Sequence, residues 1–141
     1  MSRRLLDTDI LSEIIKGKNA AVTSRAAAYL IEQGQFTTSA VSVTEVIYGF
    51  RRMGREDRIT QFESSLFNVE VLPFDDAAGR LAGRINADLE RDGHTIGMPD
   101  VMISAIALSC DLPVVTGNVT HFEYVRSVGY ERLTIDNWRI A

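Results

Sequence analysis

Short runs of β-forming residues alternate with longer helix-forming segments along the chain, and this alternation limits the fold more than any other feature. The sequence predicts strands over residues 5–6, 35–40, 69–72 and 112–116, and an edge strand over 132–135. Strands separated by helices are usually parallel, and the helices cover both faces of the sheet. We therefore expect residues 1–141 to form one α/β domain, a three-layer α/β/α sandwich with a central parallel sheet.

Capping residues and apolar periodicity place helices between the strands. We expect helices over residues 8–16, 19–33, 42–54, 59–67, 76–92, 97–108 and 118–125. The helix of residues 19–33 should turn an apolar face inward, composed of Val22, Ala26, Ala27, Leu30 and Ile31. The helix that follows Gly97 is apolar almost all round and is therefore expected to be buried on every side.

Composition limits the class of protein. The chain of 141 residues is the size of one domain, and its net charge of −4 argues mildly against a broad nucleic-acid-binding surface. No apolar run is long enough to cross a bilayer, and the start of the chain lacks the apolar core of a signal peptide. The single cysteine, Cys110, is expected to be a buried free thiol. These features are typical of a cytoplasmic protein without a membrane segment.

Three acidic residues occupy similar places at the ends of the predicted strands and helices. Asp7 follows the first strand, Glu45 lies in the first turn of the helix after the second strand, and Asp100 lies in the first turn of the buried helix. The polar stretch 116–118 directly follows the fourth strand. In a parallel sheet, ligands bind beyond the carboxyl ends of the strands, so we expect these groups to face one site.

Grouped carboxylates repel one another and are costly to bury, so a bound cation is the usual reason for gathering them. Oxygen ligands suit hard ions such as Mg²⁺ or Mn²⁺. Such an ion can activate water and stabilise charge on a phosphodiester that is being hydrolysed.

Helix capping offers a simpler interpretation of each acid. Asp7 can cap the first helix, and Ser42-x-x-Glu45 matches a capping box in which Glu45 bonds back to the backbone of Ser42. Asp100 is favoured near a helix N-terminus by the helix dipole alone. Both interpretations remain open at this level.

Four segments resemble the signature blocks of PIN-domain ribonucleases, and in particular the VapC-type toxins of bacterial toxin–antitoxin pairs. The resemblance runs from Leu5 to Trp138 and rests on LLDTDILS, SVTEVIYG, IGMPDVMISA and VTGNVTHF, which begin at Leu5, Ser42, Ile96 and Val115. It implies an α/β/α sandwich that cleaves RNA with Mg²⁺ or Mn²⁺. It also implies a homodimer and an antitoxin protein that covers or enters the active-site groove.

Carried over residue by residue, the resemblance makes Asp7, Glu45 and Asp100 the catalytic and metal-binding acids. It also places four polar residues in the pocket as residues that orient the ligands: Thr8, Ser104, Thr116 and Asn118.

The chain departs from the family pattern at His121, where a fourth acid is common. Imidazole is a poorer ligand than carboxylate for Mg²⁺. His121 is thus a candidate ligand to a metal ion or a water molecule, a phosphate contact when protonated, or a surface residue without a role. We hypothesise that it weakens a second metal site and gives Mn²⁺ an advantage.

The basic run Arg51, Arg52, Arg55 and Arg58 follows Glu45. It is interpreted as a contact to RNA phosphates or to an acidic antitoxin segment, or as a solvated helix face.

Two rival functions share some of these features. The pair Asp7 and Asp9 also matches haloacid-dehalogenase-like phosphatases, but these need a late lysine, and the only lysines are Lys16 and Lys18. A receiver domain fails for the same reason. The alternative that remains is a catalytically degenerate PIN-like domain that binds RNA or a protein partner without cleavage.

Overall fold

A five-stranded parallel sheet forms the centre of the molecule in a computed structural model that describes residues 2–140. The strand order along the sheet is β3-β2-β1-β4-β5. The strands are β1 Leu5–Leu6, β2 Phe36–Ser39, β3 Val69–Leu72, β4 Val114–Val115 and β5 Ile135–Asp136. The predicted α/β fold with a central parallel sheet is thereby confirmed.

Seven α-helices connect the strands within residues 2–140. They are α1 Thr8–Lys16, α2 Ala20–Gln33, α3 Ala40–Arg52, α4 Glu56–Ser65, α5 Asp76–Arg91, α6 Met98–Ser109 and α7 Val119–Ser127, and a short 3₁₀ turn spans Leu66–Asn68. None of the helices between residues 2 and 140 has the length and apolarity that a membrane span requires.

The layers follow from the two-residue period of the central strands, whose successive side chains point to opposite faces. Leu5 and Val114 pack into a core with residues of α5, α6 and α7. Leu6 and Val115 pack on the other face with α1, α2 and Trp138. A third, smaller core joins α1, α3 and α4. The predicted sandwich therefore has helices on both sides of the sheet.

Helices α5 and α6 behave as their patterns predict. The apolar face of α5 is buried, whereas seven residues of the apolar α6 between Val101 and Leu108 are buried from several sides. Because α6 is buried among other elements, the position of its first turn, which carries Asp100, is fixed.

Three local predictions are wrong. The side chain of Ser39 accepts a hydrogen bond from the backbone N–H of Ser42, so α3 begins at Ala40 and Glu45 lies in its second turn. Cys110 is exposed because it caps the end of α6 where the helix reaches the surface. The last strand starts at Ile135, since the backbone N–H of Leu133 is used in a turn with Tyr130.

The predicted inward face of α2 is only partly right. Val22 and Ala26 are buried together with Tyr29, but Ala27, Leu30 and Ile31 are exposed, and Ile31 is 89% exposed. A strip of apolar surface therefore remains uncovered on α2.

Candidate active site

Asp7 lies where β1 ends, next to the end of β4, at the point where the strand order of the sheet reverses. Its backbone N–H donates to the carbonyl of Val115 at 2.9 Å, which extends the pairing of the two strands. Ligands of open α/β sheets bind at such switch points. The side chain of Asp7 is nevertheless only 4% exposed.

Both carboxylate oxygens of Asp7 accept hydrogen bonds. Oδ1 accepts from the backbone N–H of Thr8 at 2.8 Å, and Oδ2 accepts from the hydroxyl of Thr116 at 2.7 Å. Asp7 thus caps α1 and also bonds across to the end of β4. Burial, followed by the negative charges of Asp9 and Asp100, raises the pKa of Asp7 to about 7. A carboxylate that only capped a helix could do so at the surface, without the free-energy cost of burial beside other negative charges.

Glu45 joins Asp7 through Thr8. The hydroxyl of Thr8 donates to Oε1 of Glu45 at 2.5 Å, and Oγ of Ser42 lies 3.0 Å from the same hydroxyl. The capping-box interpretation of Ser42 and Glu45 is therefore wrong, because Ser39 caps the helix and Glu45 turns toward α1.

Asp100 joins Asp7 through the turn that follows β4. The hydroxyl of Thr116 donates to Asp7 and accepts from the backbone N–H of Asn118 at 2.9 Å, while Nδ2 of Asn118 donates to Oδ2 of Asp100 at 2.9 Å. Thr116 and Asn118, which were predicted to orient the acids, thus contact two of them directly.

His121 lies against Asp100. Its Nδ1 is 2.7 Å from Oδ2 of Asp100 and 2.8 Å from Nδ2 of Asn118. A protonated Nδ1 donates to Asp100, whereas an unprotonated Nδ1 accepts from Asn118, so this ring position contacts the site in both tautomers. His121 is therefore part of the acidic site rather than a free surface residue.

These contacts form one continuous chain of hydrogen bonds, which we call the acidic network. It runs in the order Glu45, Thr8, Asp7, Thr116, Asn118, Asp100 and His121. Residues from four separated segments of the sequence meet here, as their positions at the strand and helix ends predicted.

Sequence reasoning missed Asp9, which lies beside this network. Its Oδ2 accepts from the backbone N–H of Gly117 at 2.8 Å, and its Oδ1 is buried without a hydrogen-bond partner among residues 2–140. Burial raises the pKa of Asp9, against the opposing effects of the Gly117 N–H and Arg139. The signal in the sequence was the second acid of Asp-Thr-Asp, one residue beyond Thr8.

Gly117 has no room for a side chain. A Cβ there would lie 2.7 Å from Oδ2 of Asp9 and 2.9 Å from Cδ of Arg139. The turn that carries Thr116 and Asn118 therefore lies close against α1, and a side chain at residue 117 would displace Asp9 or Arg139.

The remaining predicted site residues have partners other than the carboxylates of the network. Ser104 is buried and donates to the backbone carbonyl of Asp100 at 2.8 Å, so it supports α6 rather than the carboxylate. Arg51 pairs with Glu56, Arg52 lies 5.7 Å from the ring centroid of Tyr48, and Arg55 pairs with Asp57 at 2.8 Å.

The donor set of the network suits a hard divalent ion. Its carboxylates supply oxygen ligands, and a cation would relieve their mutual repulsion. Beside the network, the buried Oδ1 of Asp9 has no hydrogen-bond partner among residues 2–140 and is a further free oxygen. Within residues 2–140, no group of three or more His, Cys, Asp or Glu side chains lies close enough together to hold a metal ion by itself. Mg²⁺ usually keeps several waters and binds through one or two carboxylates, so three direct protein ligands are not required.

Comparison with known proteins decides the family. The PIN domain family model matches residues 4–126. The chain belongs to the PIN domain family. The tRNA(fMet)-specific endonuclease VapC of Shigella flexneri is 36% identical over 126 residues, which are 89% of this chain and 93% of that protein.

Two further PIN-domain relatives extend over almost the whole chain. Ribonuclease VapC2 of Haemophilus influenzae is 30% identical over 139 residues, covering 98% of this chain and 99% of that protein. The crystal structure of DNA-bound VapBC from Salmonella typhimurium superposes with a TM-score of 0.80 at 29% identity, covering 98% of this chain and 99% of that one. The resemblance noted in the sequence is thereby confirmed.

Proposed function

We propose that the protein is a metal-dependent endoribonuclease that serves as the toxin of a bacterial toxin–antitoxin pair. The observation that carries this proposal is the acidic network, which joins Asp7, Glu45 and Asp100 at the switch point of the sheet. Relatives named as VapC ribonucleases and endonucleases at 30–36% identity over most of the chain support it.

Each residue of the network has a distinct task in this proposal. Asp7, Glu45 and Asp100 would hold a divalent ion directly or through its bound waters, and the ion would supply a Lewis acid for water activation and charge stabilisation at the phosphate. Thr8 and Thr116 orient the carboxylate of Asp7 through the hydrogen bonds described, and Asn118 orients that of Asp100. Asp7 and Thr116 are buried, which keeps their oxygens in fixed positions.

We assign Mg²⁺ or Mn²⁺ as the ion because the three acids offer only oxygen ligands. His121 adds one nitrogen in contact with Asp100 and removes the charge that a fourth acid would bring. We therefore expect Mn²⁺ to support faster cleavage than Mg²⁺, and His121→Asp to reduce that preference. Equal rates with the two ions, unchanged in His121→Asp, would remove this idea.

The partners in this proposal are the RNA substrate, a cognate antitoxin protein and a second copy of the chain, all in the cytoplasm. An apolar recess of about 480 Å³ lies between α1, α2 and α4, beside the exposed Phe67. The Salmonella structure is that of DNA-bound VapBC, and a recess of this kind suits the apolar face of an antitoxin. Tyr48, 61% exposed on α3, is a candidate contact for the homodimer.

The proposal is tested by incubating purified protein with RNA in the presence of Mg²⁺, Mn²⁺ or a chelator, alongside Asp7→Ala. Cleavage that requires the ion and disappears in Asp7→Ala is the expected result. RNA binding without cleavage under every metal condition would favour the degenerate PIN-like domain, for which the unusual His121 is the specific argument. Sequencing the ends of the cleaved RNA would then identify the target.

A further inference from the structure

A groove of about 450 Å³ lies between α1, α3 and α4, and Glu45 of the acidic network is part of its lining. Four cationic side chains also line it: Lys16, Lys18, Arg55 and Arg58. We call this feature the basic groove. Charges of opposite sign thus occupy one continuous surface depression.

The groove leads away from the acidic network along α1. Glu45 is bonded to Thr8 at the first residue of α1, whereas Lys16 is its last residue. Eight residues of helix extend about 12 Å at 1.5 Å per residue. An RNA strand that passes the carboxylates would therefore reach the cations after a few further backbone units.

Three of the four cations have no partner of their own. The side chains of Lys16, Lys18 and Arg58 form no ion pair or hydrogen bond within residues 2–140, although the chain carries an excess of acidic residues. Arg55 differs, because it forms a two-pronged pair with Asp57, at 3.0 and 2.8 Å. Exposed cations without partners keep their full charge for a ligand.

The neighbouring basic residues of the sequence belong to another surface. Arg51 and Arg52 line a separate recess with Tyr48, and Arg51 is paired with Glu56. The contiguous arginines of the sequence are therefore not the cations that lie beside Glu45.

A nuclease whose catalytic centre is acidic repels its own substrate. Asp7, Asp9, Glu45 and Asp100 concentrate negative charge at the switch point, and the net charge of −4 adds to the repulsion. A polyanion is held near such a centre only if cations neutralise phosphates on either side of the bond to be cleaved.

We propose that the basic groove binds the RNA backbone beside the scissile phosphate, with Lys16, Lys18 and Arg58 as its phosphate contacts. This inference rests on the proposed function and adds the path of the substrate. The three side chains contact phosphates and not bases, so binding through them is independent of base sequence.

The test measures the binding of a short fluorescent single-stranded oligouridine by anisotropy, with a chelator present so that no cleavage occurs. The triple variant K16Q/K18Q/R58Q should bind roughly tenfold more weakly than the wild type. Each phosphate neutralised on a single strand contributes roughly 0.7 to the slope of log affinity against log salt, so the loss of three contacts should make that slope shallower by about two. In the presence of metal, KM should rise while kcat is retained.

The matched control is R80Q/R84Q/R91Q on α5. It also removes three positive charges, but from exposed positions outside the groove. Its binding should change by less than about twofold, because exposed charges far from the ligand are screened.

Three results would overturn the proposal. The first is that the groove variant binds oligouridine with unchanged affinity and salt slope, and the second is that the α5 control loses as much affinity as the groove variant. The third is that the groove variant still binds oligouridine but no longer binds an oligoglutamate peptide that the wild type binds. The last result would assign the groove to an acidic protein segment. If the wild type binds through these residues but never cleaves RNA, the proposed function fails while the groove assignment stands.

Discussion

The carboxylates of the acidic network and the cations of the basic groove are two clusters of like charge, yet the fold treats them in opposite ways. The carboxylates of the network come from three segments and accept hydrogen bonds from Thr8, Thr116 and Asn118, and Asp7 is almost fully buried. The cations of the groove are exposed, and three of them lack partners within residues 2–140.

This difference separates two contributions to activity. Like charges that are buried must be compensated locally, by hydrogen bonds, by a raised pKa or by a bound ion, so each side chain has one fixed geometry. Exposed like charges are screened by water and salt and remain free for a ligand. The network is therefore expected to control the rate of cleavage, and the groove the affinity for RNA.

The largest expected effect comes from Asp7→Asn. This change keeps the shape and the capping ability of the side chain but removes a ligand carboxylate. Cleavage should fall by more than the roughly 100-fold that changes around a metal site cost, whereas oligouridine binding without metal should be retained. Rate measurements and anisotropy on the same samples would check this. A parallel loss of binding and rate would show that the two regions cannot be separated.

A smaller effect is expected from Gly117→Ala, because the new methyl group would meet Asp9 and Arg139. Moving the turn should cost about 1–3 kcal/mol of unfolding free energy and displace Thr116 and Asn118 from the acids. Denaturant unfolding and cleavage rates measure the two consequences. Gly83→Ala in α5 is the control, since nothing in residues 2–140 outside the adjoining stretch of helix lies within 4 Å of its Cβ position, and it should stabilise the fold slightly. Similar behaviour of both variants would contradict the role given to Gly117.

The smallest expected effect is the change in the unfolding free energy of the metal-free protein in Asp7→Asn. Without metal and at a pH above 7, Asp7→Asn should raise the unfolding free energy by about 1 kcal/mol or more, because it removes a buried charge whose pKa is raised to about 7. Asp75→Asn is a matched control, since Asp75 also caps a helix but is exposed. Its stability should hardly change. A loss of stability in Asp7→Asn would mean that capping is the main role of Asp7.

Sequence reasoning located the network because its members follow from the general rules of a parallel sheet. Asp7 comes directly after a buried strand, and Asp100 is in the first turn of a helix that must be buried. Glu45 was placed one turn too early, because Ser39 competes with Ser42 as the capping residue. The contact of Glu45 with Thr8 depends on how α1 and α3 pack, which no local pattern contains.

The groove and Asp9 could not be predicted for a different reason. Lys16 and Lys18 lie far from Arg58 in the sequence, so the basic run that contains Arg58 does not reveal them, and Arg51 and Arg52 of that run line a separate recess. The role of Asp9 depends on the backbone N–H of Gly117, more than a hundred residues away. Contacts between residues so far apart in the sequence can be identified only from the folded structure.

Titration of metal-free protein with Mn²⁺ by calorimetry tests the central statement of this account, that the acidic network exists to hold a divalent ion. The wild type should bind Mn²⁺, and Asp7→Asn and Asp100→Asn should each lose that binding while remaining folded. If both variants bound Mn²⁺ as the wild type does, the ion would not be held by these carboxylates, and the network would be a structural feature of the sheet edge.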